Sequence, residues 1–413
     1  MSEQFVTWAD AYPQIAEGAK ALIPWPCEHF TTDLGGVSQP IACKGPDDEL
    51  ITTTWRRGPE EPTIVYHSTD GGRSWAKLSE VPAHWEPGKE FFNTCSGCGY
   101  LKDGTILVQY LNQFNDGRPY APSTDESHGC TSYVVRSTDH GKSWSEPVAL
   151  DPWPSHKVGD LARVCEGPNG MIYLPLGLSL TAEKGKPLTP EQAQSVSMLY
   201  VSTDRGKTWR SWASMGMYVC ESDILCLNSD RMIAVHRFQR SKLPSDPPDL
   251  VSAYYFDDTH RKRSPDCPQC RDPKALGKHS VYKQTAIAFS GDAGRTWTRP
   301  RIVTSWVQQT GCIVQLSDGT LILPFSHKDE GMGQRFIVSY DQGQSWSNAI
   351  FELHKGGMYA NTVAMVDDTL VTIFSREPHT GGNNCLETLR WKAPPKNVAS
   401  QKGFFEPEAV AVP

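Results

Sequence analysis

The chain has 413 residues, a formal net charge of −7, 38% hydrophobic and 10% aromatic residues, 34 Gly and 31 Pro. The acidic excess is dispersed and no basic stripe is present, which argues against a nucleic-acid partner. No stretch approaches the ~18 consecutive apolar residues of a membrane helix, so no membrane partner is expected either.

The first residues, MSEQFVTWADAYPQIAEGAK, lack the basic segment and apolar core of a secretory signal, and a cytoplasmic location is expected. The twelve cysteines are scattered. Most stand in apolar strand contexts (Cys43, Cys165, Cys226, Cys312), where a reduced, buried thiol is the default; Cys95 and Cys98 read as ordinary strand cysteines.

From Ser38 onward one unit recurs: an apolar run, a turn signal and a second apolar run. It starts at Ser38 (SQPIAC…DDELITTTW), Cys95 (CSGCGYLKDGTILVQY), Arg163 (RVCEGPNGMIYLPLG), Glu221 (ESDILCLNSDRMIAVHR), Thr310 (TGCIVQLSDGTLILPF) and Tyr359 (YANTVAMVDDTLVTIF). Asp103-Gly104, Asn169-Gly170 and Asp318-Gly319 are strong hairpin signals. Five of the units are followed by Ser-x-Asp-x-Gly-x-x-Trp, at Ser68–Trp75, Ser137–Trp144, Ser202–Trp209, Ser290–Trp297 and Ser339–Trp346. Each motif is a hairpin turn: the Asp accepts backbone N–H bonds, the Gly supplies a positive φ, and the Trp packs as an apolar anchor, expected inside its own blade. A repeat of this size predicts an all-β, six-bladed β-propeller over residues 35–392 with five such turns. Residues 1–34 are expected to help close the ring, because an unpaired edge is a liability, and 393–413 form a tail. The sixth unit lacks its motif and keeps a degenerate outer strand, Leu386–Trp391.

In each four-stranded blade (strands A to D), the A–B turn and the motif lie on one face. The start of A and the B–C connection lie on the other, where chemistry is expected. The longest B–C connection, about 241–282 in blade 4, would overhang that face as a lid or as a solvated insertion. Its His260, Cys267, Cys270 and His279 could close a tetrahedral zinc site, although a single CxxC spacing is weak and unliganded thiols or a disulfide fit as well; no cofactor is otherwise expected. At the active face stand Glu221, Asp223, Tyr359, Arg57, Arg237, Arg335, Glu60, Glu61, Asn93 and Arg163. Guanidinium groups suit planar recognition of a carboxylate, and a carboxylate beside a phenol can make the Tyr a nucleophile. A rim ion pair between Glu221 and Arg237 is the bland alternative. His236 and His327 also lie near the rim, most simply as hydrogen-bonded structural residues.

At these positions the chain resembles the sialidase (neuraminidase) superfamily of six-bladed Asp-box propellers. The resemblance implies that Tyr359 in GGMYANTVAM is the nucleophile, with Glu221 its carboxylate partner. Arg237 and Arg335 would be arginines of the triad that binds the substrate carboxylate, and Arg57 matches the arginine after the first B strand. Where the family has its acid/base Asp, this chain has Glu60 and Glu61. It also departs at blade 1, where Ser38-Gln39-Pro40 replaces Arg-Ile-Pro, so the first triad arginine is missing; Arg56, Arg163 or Arg376 are weak substitutes. A lost guanidinium would cost on the order of 2–5 kcal/mol in a buried carboxylate site. The implied activity is an exo-sialidase-like glycosidase cleaving a terminal acidic sugar from a carbohydrate substrate. The alternatives are a propeller polysaccharide lyase or non-sialic exo-glycosidase acting on uronate glycans, and a non-catalytic carbohydrate-binding propeller. The oligomeric state is not legible in the sequence.

Overall fold

The computed structural model describes residues 22–35, 39–54, 62–82, 90–115, 130–151, 157–160, 162–179, 195–241, 280–304, 308–327, 332–347, 349–376, 385–396 and 404–405. They form a six-bladed β-propeller, nearly all strand. Among them no helix is long and apolar enough to cross a membrane.

Blade 1 is the plainest: Ile41–Lys44, Leu50–Thr54, Thr63–Ser68 and Ala76–Val81 pair antiparallel in chain order. Blade 4 repeats this with Val219–Cys226, Met232–Ser241, Ser280–Ser290 and Arg301–Ile302. In blades 3 and 5 the inner strand is broken in two, as Lys157–Val158 with Cys165–Glu166, and as Gln308–Gln309 with Val314–Gln315. Blade 6 differs from the sequence expectation in one respect. The segment containing Leu386–Trp391 is not its outer strand but its third, Cys385–Trp391, and the outer strand is Glu28–Gly35 from the other end of the chain. Met358–Ala364 and Leu370–Arg376 complete that blade. Leu22–Pro24 adds, in parallel, to the outer strand of blade 5 (Ile350–Lys355). The ring is therefore closed by two strands from residues 22–35, which cover edges that would otherwise stay open.

The five turn motifs share one hydrogen-bond scheme. In the second, the Gly141 amide donates to Ser137 Oγ at 2.8 Å, the Ser143 amide to Asp139 Oδ1 at 2.9 Å, and the Ser143 hydroxyl to Asp139 Oδ2 at 2.5 Å. The residue before the Trp is thus part of the motif: it is Ser74, Ser143, Thr208, Thr296 or Ser345, in each case donating to the Asp. The Gly is required twice over. Gly206 has φ 78°, and a Cβ there would meet Leu107 Cδ2 of blade 2 at 2.7 Å.

The tryptophans correct the expectation that each packs inside its own blade. Hydrophobic clusters lie between neighbouring blades, and every motif Trp joins the cluster shared with the preceding blade. Trp75 meets blade 6, Trp144 blade 1, Trp209 blade 2, Trp297 blade 3 and Trp346 blade 4. Trp75 and Trp144 also donate across the gap, to Thr388 Oγ1 at 3.0 Å and Ser79 Oγ at 2.9 Å. At the interface of blades 5 and 6, where the motif is missing, Trp391 takes the equivalent place and donates to Thr372 Oγ1. Each blade is a sheet with two apolar faces, and its stability comes from pressing them against its neighbours.

The described cysteines are free thiols. Cys43 and Cys98 approach to 3.1 Å across the interface of blades 1 and 2.

Candidate active site

In four blades a non-glycine residue at or near the start of the inner strand has a positive φ: Gln39 (48°), Glu221 (42°), Thr310 (56°) and Tyr359 (57°). For L-residues this conformation costs on the order of 1–3 kcal/mol each and tends to gather at functional sites. Bulges accompany it, between Cys220 and Asp223 in blade 4 and between Met358 and Asn361 in blade 6. A bulge re-aims side chains that a regular strand would alternate between sheet faces, and here it brings residues of four blades into one hydrogen-bonded chain.

Arg237 is its hub. It is 8% exposed and sits opposite Cys220 in the blade 4 hairpin. Its Nη1 donates to Glu221 Oε1 at 2.6 Å. The other carboxylate oxygen, Oε2, accepts from the Thr310 hydroxyl at 2.8 Å. The Tyr359 hydroxyl is hydrogen-bonded by the side chains of Arg237 and Gln39. Burial first, then the charge of Glu221, push this phenol up to about 12, against the opposing pull of Arg237 and the Gln39 bond. For Arg237, burial would favour the neutral form, but the Glu221 charge outweighs it and the guanidinium stays charged. The backbone of Glu221 is also held, its amide donating to Asp160 Oδ2 at 2.6 Å. Gly177 makes room for that carboxylate, since a Cβ there would lie 2.5 Å from Asp160 Oδ2.

Arg335 is 7% exposed, at the start of the third strand of blade 5 (Gly333–Ser339), with Nη2 3.5 Å from Glu352 Oε2. Burial lowers its pKa against the pull of Glu352.

Arg163 and Asp223 differ from the expected rim ligands. They are engaged with each other and with the backbone, two to three residues further along the inner strands. Arg163 Nε donates to Asp223 Oδ1 at 3.2 Å, Nη1 to the Thr362 carbonyl at 2.8 Å, and Nη2 to the Ile313 carbonyl at 2.7 Å and to Asp223 Oδ2. Asp223 Oδ2 also accepts the Ile313 amide at 2.9 Å. Blades 3, 4, 5 and 6 are thereby clasped around the channel, and little donor capacity remains for a ligand. His236 is likewise structural. It is fully buried, its Nδ1 is 2.7 Å from Ser222 Oγ, and burial holds it near pKa 3, neutral at any ordinary pH.

Ser38, Arg57, Glu60, Glu61 and the quartet His260, Cys267, Cys270 and His279 lie outside the described residues. Asn93 is placed in the inner strand of blade 2 (Glu90–Tyr100), opposite Asn112. Sequence reasoning missed two residues of the site, Asp160 and Thr310. Thr310 could have been found as the opening residue of the fifth hairpin, and Asp160 by the rule that chemistry gathers just before an inner strand.

The BNR/Asp-box repeat family matches residues 200–211, the third motif. Among curated proteins, no sequence matches the chain. Among solved structures, a protein of unknown function from Dyadobacter fermentans is similar over 88% of this chain and 97% of its own, at 17% identity and a TM-score of 0.62. Trypanosoma rangeli sialidase in complex with 2,3-difluorosialic acid, a covalent intermediate, is similar over 87% of this chain at 15% identity and a TM-score of 0.56. This chain spans about half of that protein, 54% of its length. The NanB sialidase from Streptococcus pneumoniae is similar over 88% of this chain and 70% of its own, at 9% identity and a TM-score of 0.57. In fold the chain is a sialidase-like Asp-box propeller.

Proposed function

We propose that the protein is a glycoside hydrolase of exo-sialidase type, removing a terminal acidic sugar, sialic acid or a relative, from a glycoconjugate. One observation carries the reading: the run Gln39–Tyr359–Arg237–Glu221–Thr310, buried at Arg237 and Thr310, half-buried at the other three and hydrogen-bonded end to end at the mouth of a propeller of sialidase-like fold. A phenol linked through a guanidinium to a carboxylate is a poor stabilising device and a good nucleophile assembly.

In the first half-reaction the Tyr359 oxygen attacks the anomeric carbon as its proton passes to Glu221. The bond to the aglycone breaks, and the leaving oxygen takes a proton from a general acid, for which Glu60 and Glu61 are the candidates. In the second, the same acid/base deprotonates water, which attacks the anomeric carbon. The phenol departs and recovers its proton from Glu221. Because burial disfavours a free phenolate, proton transfer accompanies attack rather than preceding it. Arg237 steadies both the carboxylate and the developing charge on oxygen, while Arg335 binds the substrate's acidic group. Tyrosine-nucleophile glycosidases stand outside the two-carboxylate spacing rule, so no stereochemical outcome is taken from carboxylate separation.

The test is mechanism-based trapping. A fluorinated acidic glycosyl fluoride should leave a glycosyl adduct on Tyr359, found by peptide mapping, and none on Tyr359→Phe. Turnover of an acidic glycoside with the label on another residue, or a UV-absorbing unsaturated uronate as product, would overturn the reading, the latter in favour of a lyase.

A further inference from the structure

On the opposite face, where the Asp boxes lie, a second group of reactive side chains converges that the proposed chemistry does not use. The A–B turn of blade 1 is a short 3-10 turn, Pro46–Asp48, with Asp47 and Asp48 at φ 57° and 60° and the Gly45 amide bonded to the Glu49 carbonyl at 2.8 Å. It delivers Glu49, 14% exposed at its side chain, to the interface with blade 2. His67, one residue before the first Asp box, brings Nδ1 to 2.7 Å from Glu49 Oε1. His140, inside the second Asp box and held at φ 60°, brings Nε2 to 3.1 Å from Oε1 and 2.9 Å from Oε2. All three ligand atoms lie within 4.8 Å of one another.

We propose that Glu49, His67 and His140 form a divalent metal site, with zinc as the fitting cation, that ties blade 1 to blade 2. Two imidazole nitrogens and one carboxylate oxygen are a donor set zinc accepts, with water as the fourth ligand. Metal–ligand arms of about 2.0–2.2 Å place tetrahedral donors roughly 3.3 Å apart, so the histidine–carboxylate spacings, 2.7 Å for His67 and 2.9–3.1 Å for His140, need to open by about 0.2–0.6 Å. The supporting shell is also present. The Tyr100 hydroxyl, from the inner strand of blade 2, donates to Glu49 Oε2 at 3.0 Å and orients the carboxylate, as outer partners of metal ligands do. A second such group, His29, His354 and Glu387, fits less well. The Arg376 guanidinium, 3.4 Å from Glu387 Oε1, already supplies a positive charge there. Among the described residues, no Arg or Lys is a hydrogen-bond or ion-pair partner of Glu49.

The experiment uses the full chain carrying Cys267→Ser and Cys270→Ser, which silences the other candidate zinc segment. Stripped of metal and titrated with zinc in a calorimeter, it should bind one equivalent more than the same chain with His67→Ala and His140→Ala. Its melting temperature should rise by a few degrees at zinc concentrations well above the dissociation constant, while the double variant's does not. Should the double variant fail to fold, Glu49→Gln keeps the shape and most hydrogen bonds and should weaken zinc binding at least tenfold. Equal zinc stoichiometry in the parent and the double variant, a zinc affinity of Glu49→Gln within about threefold of the parent's, or no binding by the parent at up to about a hundred micromolar zinc, overturns the proposal. None of these readouts depends on glycosidase activity.

Discussion

Replacing Asp223 by Ala tests whether the Arg163–Asp223 pair is the clasp that the geometry describes. The side chains are 13% and 6% exposed, so solvent screens the pair little. Asp223→Ala leaves the Arg163 charge buried with only the carbonyls of Thr362 and Ile313 to face, and strips the Ile313 amide of its acceptor. Breaking one side of a buried pair typically costs about 3–5 kcal/mol. With about 2.1 cal/mol/K of unfolding entropy per residue, a chain of 413 residues has roughly 0.9 kcal/mol/K, so the melting temperature should fall by about 3–6 °C. Removing both charges, as Arg163→Leu with Asp223→Ala, should recover at least half of that loss, because the isolated charge disappears. It should not recover all, since the backbone groups of Ile313 and Thr362 stay unsatisfied. Calorimetry of the four proteins forms a double-mutant cycle. A single variant within 1 °C of the parent, or a double variant as poor as the two single losses combined, would refute the clasp and return both residues to the list of substrate ligands.

Trp346→Ala, at 3% exposure the most buried of the motif tryptophans, should destabilise by about 3–5 kcal/mol; half-buried Trp144 should lose about half as much, measured by denaturant unfolding. Asp139 is held to about 2 by the Ser143 hydroxyl and amide and by Ser137, and Asp70 to about 2, where bonds from Ser74 and Ser68 outweigh burial. Folded pKa values below the ordinary 3.8 mean that the stability they add is complete above pH about 4 and disappears as pH falls toward 2. The acid limb of melting temperature against pH should therefore be shallower for Asp139→Asn. Gln39 offers the Tyr359 hydroxyl a neutral hydrogen bond, and Ser38-Gln39-Pro40 stands where the sialidase pattern has Arg-Ile-Pro, so generic aryl sialosides should turn over poorly. A kcat/KM of roughly 10⁴ M⁻¹s⁻¹ or more would show that another cation fills the role.

The propeller was legible in the sequence because its signals are local. A Ser-x-Asp-x-Gly-x-x-Trp turn closes the hydrogen bonds of its Ser and Asp within eight residues, from Ser137 Oγ to the Ser143 amide, and hairpins such as that around Asp103-Gly104 close on themselves. Five turns and six hairpins therefore determine an all-β repeat of six blades. The Arg237–Glu221 ion pair was within reach for the same reason, both residues lying in one hairpin sixteen positions apart. What the tertiary structure decided involves groups that meet only when the ring closes. Trp75 finds Thr388 across 313 positions, and Arg163 finds Thr362 across 199. Local chemistry cannot say whether a turn tryptophan packs inward or onto the blade before it. Nor can it say that Arg163 and Asp223 satisfy each other below the mouth while Thr310 and Asp160 rise to hold Glu221. Those outcomes depend on how six sheets wedge around one axis, which is set by contacts between residues the chain itself keeps far apart.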